Sequence, residues 1–242
     1  MRADGNILIA RDLSELITEF KKIFVELYSA AVADKGSFTI SLSGGSTPKA
    51  IYRELIGLDV DWSKVYFFFG DERCVPSTDN ESNFHMASGA FLSPLGIPAD
   101  HIFRWQTELG DPEKIAADYG SRLSEFFGGM PRLDLFLLGM GPDAHTASLF
   151  PETSALHETE KIAVANWVPK FNAFRLTLTP PVINNSANIL FIVTGPEKAD
   201  ALRTVLTGEH RPDSFPAQLI KPTSGSLRWF IDGPAAAGLR PA

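Results

Sequence analysis

The sequence has almost no cysteine, no long apolar run and no basic tract, and each lack narrows what the chain can be. Cys74 is the only thiol in 242 residues, so no internal disulfide can form and a cysteine-built zinc site is excluded. No stretch approaches the roughly 18 uninterrupted apolar residues of a membrane span. The N-terminal stretch through Leu16 is charged early and has no sustained apolar segment, so it does not read as a secretory signal. Without that route, the sequons at Asn80-Glu81-Ser82 and Asn184-Asn185-Ser186 are taken as chance matches, and a cytoplasmic location is expected. Lys and Arg number 22 against 29 Asp and Glu, a formal charge of −7. An acidic chain without clustered cations suits neither nucleic acid nor an anionic membrane. An anionic substrate would have to be held by a local pocket against the overall field.

What is present is an alternation of helical and strand patterns. Leu13, Leu16, Ile17, Phe20, Ile23, Phe24, Leu27 and Ala31 repeat at helical spacing behind Asp12 and Glu15, which resemble a capping box, and Gly36 supplies a stop. Phe38–Leu42, Val65–Phe69, Leu133–Leu138 and Ile189–Val193 are near-continuous apolar runs, best read as strands buried on both faces. Ile162–Ala165, Arg175–Leu178 and Leu227–Ile231 are further strand candidates. Helices are expected from Thr47 (cap) and Pro48 to about Leu55, from Asp111-Pro112 to about Phe127, and from Lys198 to about Leu206. The pattern predicts an α/β fold, a mainly parallel, twisted, Rossmann-like sheet flanked by helices. With no repeat or linker, residues 1–242 read as one domain.

Three predicted strands end in polar, glycine-bearing loops, at 43–47, 70–73 and 139–146. Ligands of open parallel sheets bind beyond the carboxyl ends of the strands, so these loops should face one crevice. Ser43-Gly44-Gly45-Ser46-Thr47 stands between a strand and a helix start, where backbone N–H groups, hydroxyls and the helix end can cradle a phosphate; an ordinary capped turn would look the same. No Gly-Lys-Ser/Thr follows, so it is not a Walker loop. Gly139-Met140-Gly141-Pro142-Asp143-Ala144 fits a dinucleotide pattern, but Pro142 and Pro151 leave too little helix for a crossover and no acidic residue closes the next strand. His145, two residues after Asp143, is the best candidate for a general base, since imidazole ordinarily titrates near pH ~6.5. Alternatively it caps a helix that begins near Thr146. The other histidines share no ligand spacing, so no metal is expected. Asp71-Glu72-Arg73 is either a solvated loop or a source of charge for an oxyanion, through Arg73. Arg175 and Lys198 are the remaining cations near predicted strand ends.

Together these segments resemble the 6-phosphogluconolactonase family. The resemblance rests on Ser41–Pro48, Gly70–Pro76, Glu81–Asn83, Gly139–Pro151, Arg175–Thr179, Thr194–Lys198 and Leu227–Asp232, in order along nearly the whole chain. It implies a fold related to sugar-phosphate isomerases and a hydrolysis of 6-phosphoglucono-1,5-lactone, the second step of the oxidative pentose phosphate pathway, without metal or cofactor. By family position, Gly44, Gly45, Ser46, Arg175 and Lys198, with Thr47 beside them, would hold the phosphate. His145 would activate water, Arg73 would face the lactone, and Asp71 or Asp143 would orient the histidine. The expected partner is a small sugar-phosphate lactone; the oligomeric state stays open, a monomer among the options. One departure stands out. The family usually has glycine where this chain has Ala144, which costs on the order of 1 kcal/mol if the position needs φ > 0. The competing readings are a glucosamine-6-phosphate deaminase/isomerase and a non-catalytic sugar-phosphate binder. The deaminases typically carry a second acidic residue after the histidine turn, where Thr146–Pro151 stands here.

Overall fold

The computed structural model describes residues 6–239; the first five residues of the N-terminal stretch read above, and residues 240–242, lie outside the described residues. In chain order the strands and α-helices are β1 (Ile7–Ala10), α1 (Leu13–Lys35), β2 (Phe38–Leu42), α2 (Ser46–Leu55), β3 (Val65–Phe69), β4 (Asp71–Arg73), α3 (Asn83–Ala87), β5 (Ile102–Phe103), α4 (Pro112–Phe127), β6 (Leu135–Leu138), β7 (Ala163–Val168), β8 (Ala173–Leu178), α5 (Pro180–Asn185), β9 (Asn188–Val193), α6 (Ala199–Thr207) and β10 (Ser226–Asp232).

Seven strands form one sheet in the order β1-β10-β9-β6-β2-β3-β5, every pair parallel. The apolar runs became strands because both their faces are covered. Each residue of β2 and of β6 is buried. Phe20 and Phe24 of α1 pack down onto the sheet, with Phe24 edge-on to Phe38 at 5.5 Å; burying each such ring contributes roughly 1.5–3 kcal/mol. Asp12 caps α1 by accepting from the Glu15 N–H at 2.9 Å, and Gly36 ends it at φ 79°. The return bond of the capping box falls one residue early: Glu15 accepts from the Arg11 N–H, at 2.7 Å. Asp111 and Pro112 start α4 as their chemistry predicts. Among the described residues no helix is long and apolar enough to cross a membrane.

Three local expectations need correction. The segment 70–73 is not a loop: after Gly70, Asp71–Arg73 forms β4 of a second, antiparallel sheet, β4-β8-β7. Its charges misled because Glu72 is buried through polar contacts, accepting from the N–H groups of Arg73, Asn83 and Phe84 and from the Ser82 hydroxyl. Burial pushes the Glu72 carboxyl up, and those donors limit the rise. Thr47 is not the cap of α2. The helix begins at Ser46 behind Gly45, whose φ of 112° favours glycine, and Pro48 still falls in the first turn, where its missing N–H costs nothing. No helix starts at Thr146, which instead bridges Leu149. Finally, the two edge strands of the large sheet were not foreseen: β1, four residues that pair with β10 from the far end of the chain, and the two-residue β5 beside β3.

The direction of the connections reverses at β2 and β6. From β2 the chain steps out through β3 to β5, then returns to the other side of β2 at β6 and continues outward through β9. Such a switch point opens a crevice beyond the strand ends. The 43–47, 70–73, 139–146 and 194–198 segments all leave from the four adjacent strands β2, β3, β6 and β9.

Candidate active site

A cavity of about 420 Å³ occupies that crevice, lined by residues of all four segments. The first wall is the start of α2. Tyr52, fully buried further along α2, fixes it: its hydroxyl donates to the Ser43 carbonyl and accepts from the Ser43 N–H, both at 2.9 Å. Burial pushes the Tyr52 phenol well above its usual range, so it remains a neutral donor. Gly44 has no room for a side chain, because a Cβ there would overlap the Asn83 amide. Gly45 gives α2 no side-chain cap, and among the described residues the N–H groups of Gly44, Gly45, Ser46 and Thr47 donate to no protein acceptor. Four free donors at a helix start favour an anion. Thr47 reaches across the crevice, its hydroxyl 2.6 Å from that of Thr194. Beyond Thr194, the Gly195 N–H is held by Asp232, and Lys198 and Glu197 face the cavity.

The opposite wall is the turn after β6. Gly141 and His145 close it, the Gly141 N–H donating to the His145 carbonyl at 2.8 Å, and the Ala144 N–H donates to the Gly141 carbonyl at 3.0 Å. The closure needs Ala144 in the left-handed region, at φ 60° and fully buried. His145 Nδ1 lies 2.5 Å from Asp143 Oδ1. With Nδ1 donating to that carboxylate, Nε2 is left as the acceptor on the ring. Phe150 stacks on the imidazole at 4.1 Å and holds its plane. Burial alone would raise the Asp143 carboxyl; hydrogen bonds from His145 and from Lys170, at 2.8 Å, outweigh it and hold the group well below the usual carboxylate range.

Asp71 also lines the cavity, but its partners are Ser148, at 2.8 Å, and Asn83, at 3.2 Å. The carboxylate that touches His145 is therefore Asp143. Arg73 lines the cavity and donates to the Glu81 carbonyl. Arg175 lies on β8. It sits opposite Arg73 in the β4–β8 register, with its guanidinium over the Phe171 ring, and it is not among the residues that line the cavity. Burial and the neighbouring Arg73 lower its pKa. Asn83, Tyr52, Phe150 and Lys170 were not singled out from the sequence. Asn83 and Phe150 left a signal there only as members of the Glu81-Ser82-Asn83 and Gly139–Pro151 motifs. Among the described residues no group of three or more His, Cys, Asp or Glu side chains is arranged to hold a metal.

A parallel sheet with a donor-rich helix start on one side of its switch point, and a histidine–carboxylate pair on the other, defines an α/β protein of the sugar-phosphate isomerase-like class. Residues 11–229 match the family described as glucosamine-6-phosphate isomerases/6-phosphogluconolactonase. The chain belongs to this family, on its 6-phosphogluconolactonase side. It is 40% identical to a 6-phosphogluconolactonase of Synechocystis over 240 residues, 97% of this chain and 95% of that one. With its counterpart from Nostoc the identity is 39%, covering 98% and 95%. The solved 6-phosphogluconolactonase of Trypanosoma cruzi superposes with a TM-score of 0.88 at 28% identity, covering 100% of this chain and 99% of that one.

Proposed function

We propose that this chain hydrolyses 6-phosphoglucono-1,5-lactone to 6-phosphogluconate, with His145 as the general base. The observation that carries this reading is one cavity that joins free N–H donors at the start of α2 to a histidine whose Nδ1 is committed to Asp143. The phosphate is held by Gly44, Gly45, Ser46, Thr47 and Lys198, which puts the lactone end toward His145 and Arg73. His145 Nε2 takes a proton from water as the water oxygen bonds to the lactone carbonyl carbon. Arg73 attracts the oxyanion that develops on the carbonyl oxygen. Collapse of the tetrahedral intermediate breaks the bond to the ring oxygen, which takes the proton back from the imidazolium and leaves as a hydroxyl. Arg175, opposite Arg73 in the β4–β8 register, adds positive charge beside the same crevice. The activity is placed in the cytoplasm, although several plant relatives carry names that specify the chloroplast.

The experiment is a turnover assay on freshly generated lactone, corrected for its spontaneous hydrolysis, with glucosamine 6-phosphate run in parallel. Enzyme-dependent acid release from the lactone alone is expected. Turnover of the amino sugar would favour the deaminase reading. Tight binding of 6-phosphogluconate without turnover would identify a non-catalytic binder.

A further inference from the structure

The β7–β8 hairpin has no part in the chemistry so far. Its tip, Pro169–Phe171 followed by Asn172 in the left-handed region at φ 49°, bends onto the turn that carries His145. It touches that turn by two routes. Lys170 Nζ lies 2.8 Å from Asp143 Oδ2, while the other oxygen, Oδ1, is 2.5 Å from His145 Nδ1. Phe171 meets Phe150 edge-on at 5.4 Å, and Phe150 is the ring stacked on His145. One carboxylate is thus shared between an imidazole and an ammonium, and both the ring plane and the carboxylate lean on the same hairpin tip. The Asp143 side chain is only 25% exposed, so solvent screens the shared charge incompletely.

We propose that Lys170 is a positioning residue for the reaction: paired with Asp143 Oδ2, it fixes the carboxylate that orients His145 and offsets part of its charge. This rests on the reading of His145 as the base. A carboxylate with its whole charge directed at Nδ1 stabilises the imidazolium, and a base already protonated cannot accept a proton from water. An ammonium on the far oxygen keeps the orienting hydrogen bond and weakens that stabilisation. Lys198, Arg73, Asp71 and Glu197 line the same cavity and Arg175 lies over Phe171. Lys170 Nζ also lies over the Phe171 ring, at 5.5 Å, so Lys170→Arg, which keeps a cation there, is the control that separates charge from packing.

The test compares wild type, Lys170→Met and Lys170→Arg by NMR titration of the His145 ring, assigned through its loss in His145→Ala, alongside kcat and KM across pH. In Lys170→Met the ring midpoint should rise by roughly half a pH unit or more. At slightly acid pH kcat should fall several-fold while KM changes less than twofold, and Lys170→Arg should restore both. A lower melting temperature with an unmoved midpoint would assign Lys170 a merely structural role and overturn the proposal. The titration does not depend on turnover. A raised midpoint supports the hold of Lys170 on the ring even if the rate profile ignores it, and that second result would count against His145 as the base.

Discussion

Ala144→Gly restores the residue usual in the family at a buried left-handed position, and opposing effects of similar size decide its outcome. At φ 60° an alanine pays roughly 1–2 kcal/mol that glycine does not. Ala144 is also fully buried, so removing its methyl forfeits about 0.8 kcal/mol of transfer free energy. The freer unfolded chain of the glycine variant costs a further ~0.4–1 kcal/mol. The sum lies within about 1 kcal/mol of zero, which for a chain of this length is a melting shift of no more than about 2–4 °C. That balance explains how alanine is tolerated here. The bonds that set His145, from the Gly141 N–H to its carbonyl and from its ring to Asp143, do not involve the methyl. The variant should therefore keep kcat within about threefold of wild type. Ala144→Val, with a branched side chain at positive φ and no space around it, should cost well over 2 kcal/mol. Thermal unfolding and steady-state rates of the two variants check the reasoning. A glycine variant stabilised by more than about 2 kcal/mol, or tenfold faster, would show that Ala144 distorts the turn, and the reasoning would fail.

Three further outcomes are expected. Lys198→Ala should raise KM for the lactone by tenfold or more, since a charge-assisted contact to phosphate contributes about 1.5–3 kcal/mol; Arg175→Ala should raise it less, and calorimetry with 6-phosphogluconate tests both. Activity should survive exhaustive chelation, and its loss with recovery on adding back one divalent ion would contradict the proposed chemistry. Asp143 is held below the usual carboxylate range, so its charge contributes stability above the ordinary carboxyl value of about 3.9 that is lost as pH falls toward the folded value. The stability advantage of wild type over Asp143→Asn, followed by denaturant unfolding, should narrow from about pH 5 downward, and a gap that widens would refute the assignment.

The central sheet was legible because parallel strands buried on both faces leave unbroken apolar runs: β2 and β3 fall on the residues expected, and β6 and β9 within two. The helices α1 and α4 were legible from their caps. The antiparallel sheet was not, since β4 is a run of three charges whose buried member, Glu72, is satisfied by donors ten or more residues away. The loops of the crevice could be read from where strands end. Which carboxylate serves His145 could not, because Asp71 and Asp143 look alike in sequence and differ only in what the fold brings to them: Ser148 and Asn83 in one case, His145 and Lys170 in the other. Tyr52 and Lys170 act through contacts that no local pattern encodes.

The most direct measurement is kcat for the lactone against pH in wild type and His145→Ala, with binding of 6-phosphogluconate measured on both. General-base catalysis contributes about 10²–10⁴-fold, so the variant should lose that much kcat while binding the phosphorylated product almost as before. The wild-type rate should fall toward acid pH, and that limb should be missing from the variant. A His145→Ala protein with near-normal kcat and an unchanged pH profile would contradict the account and move the base elsewhere in the crevice.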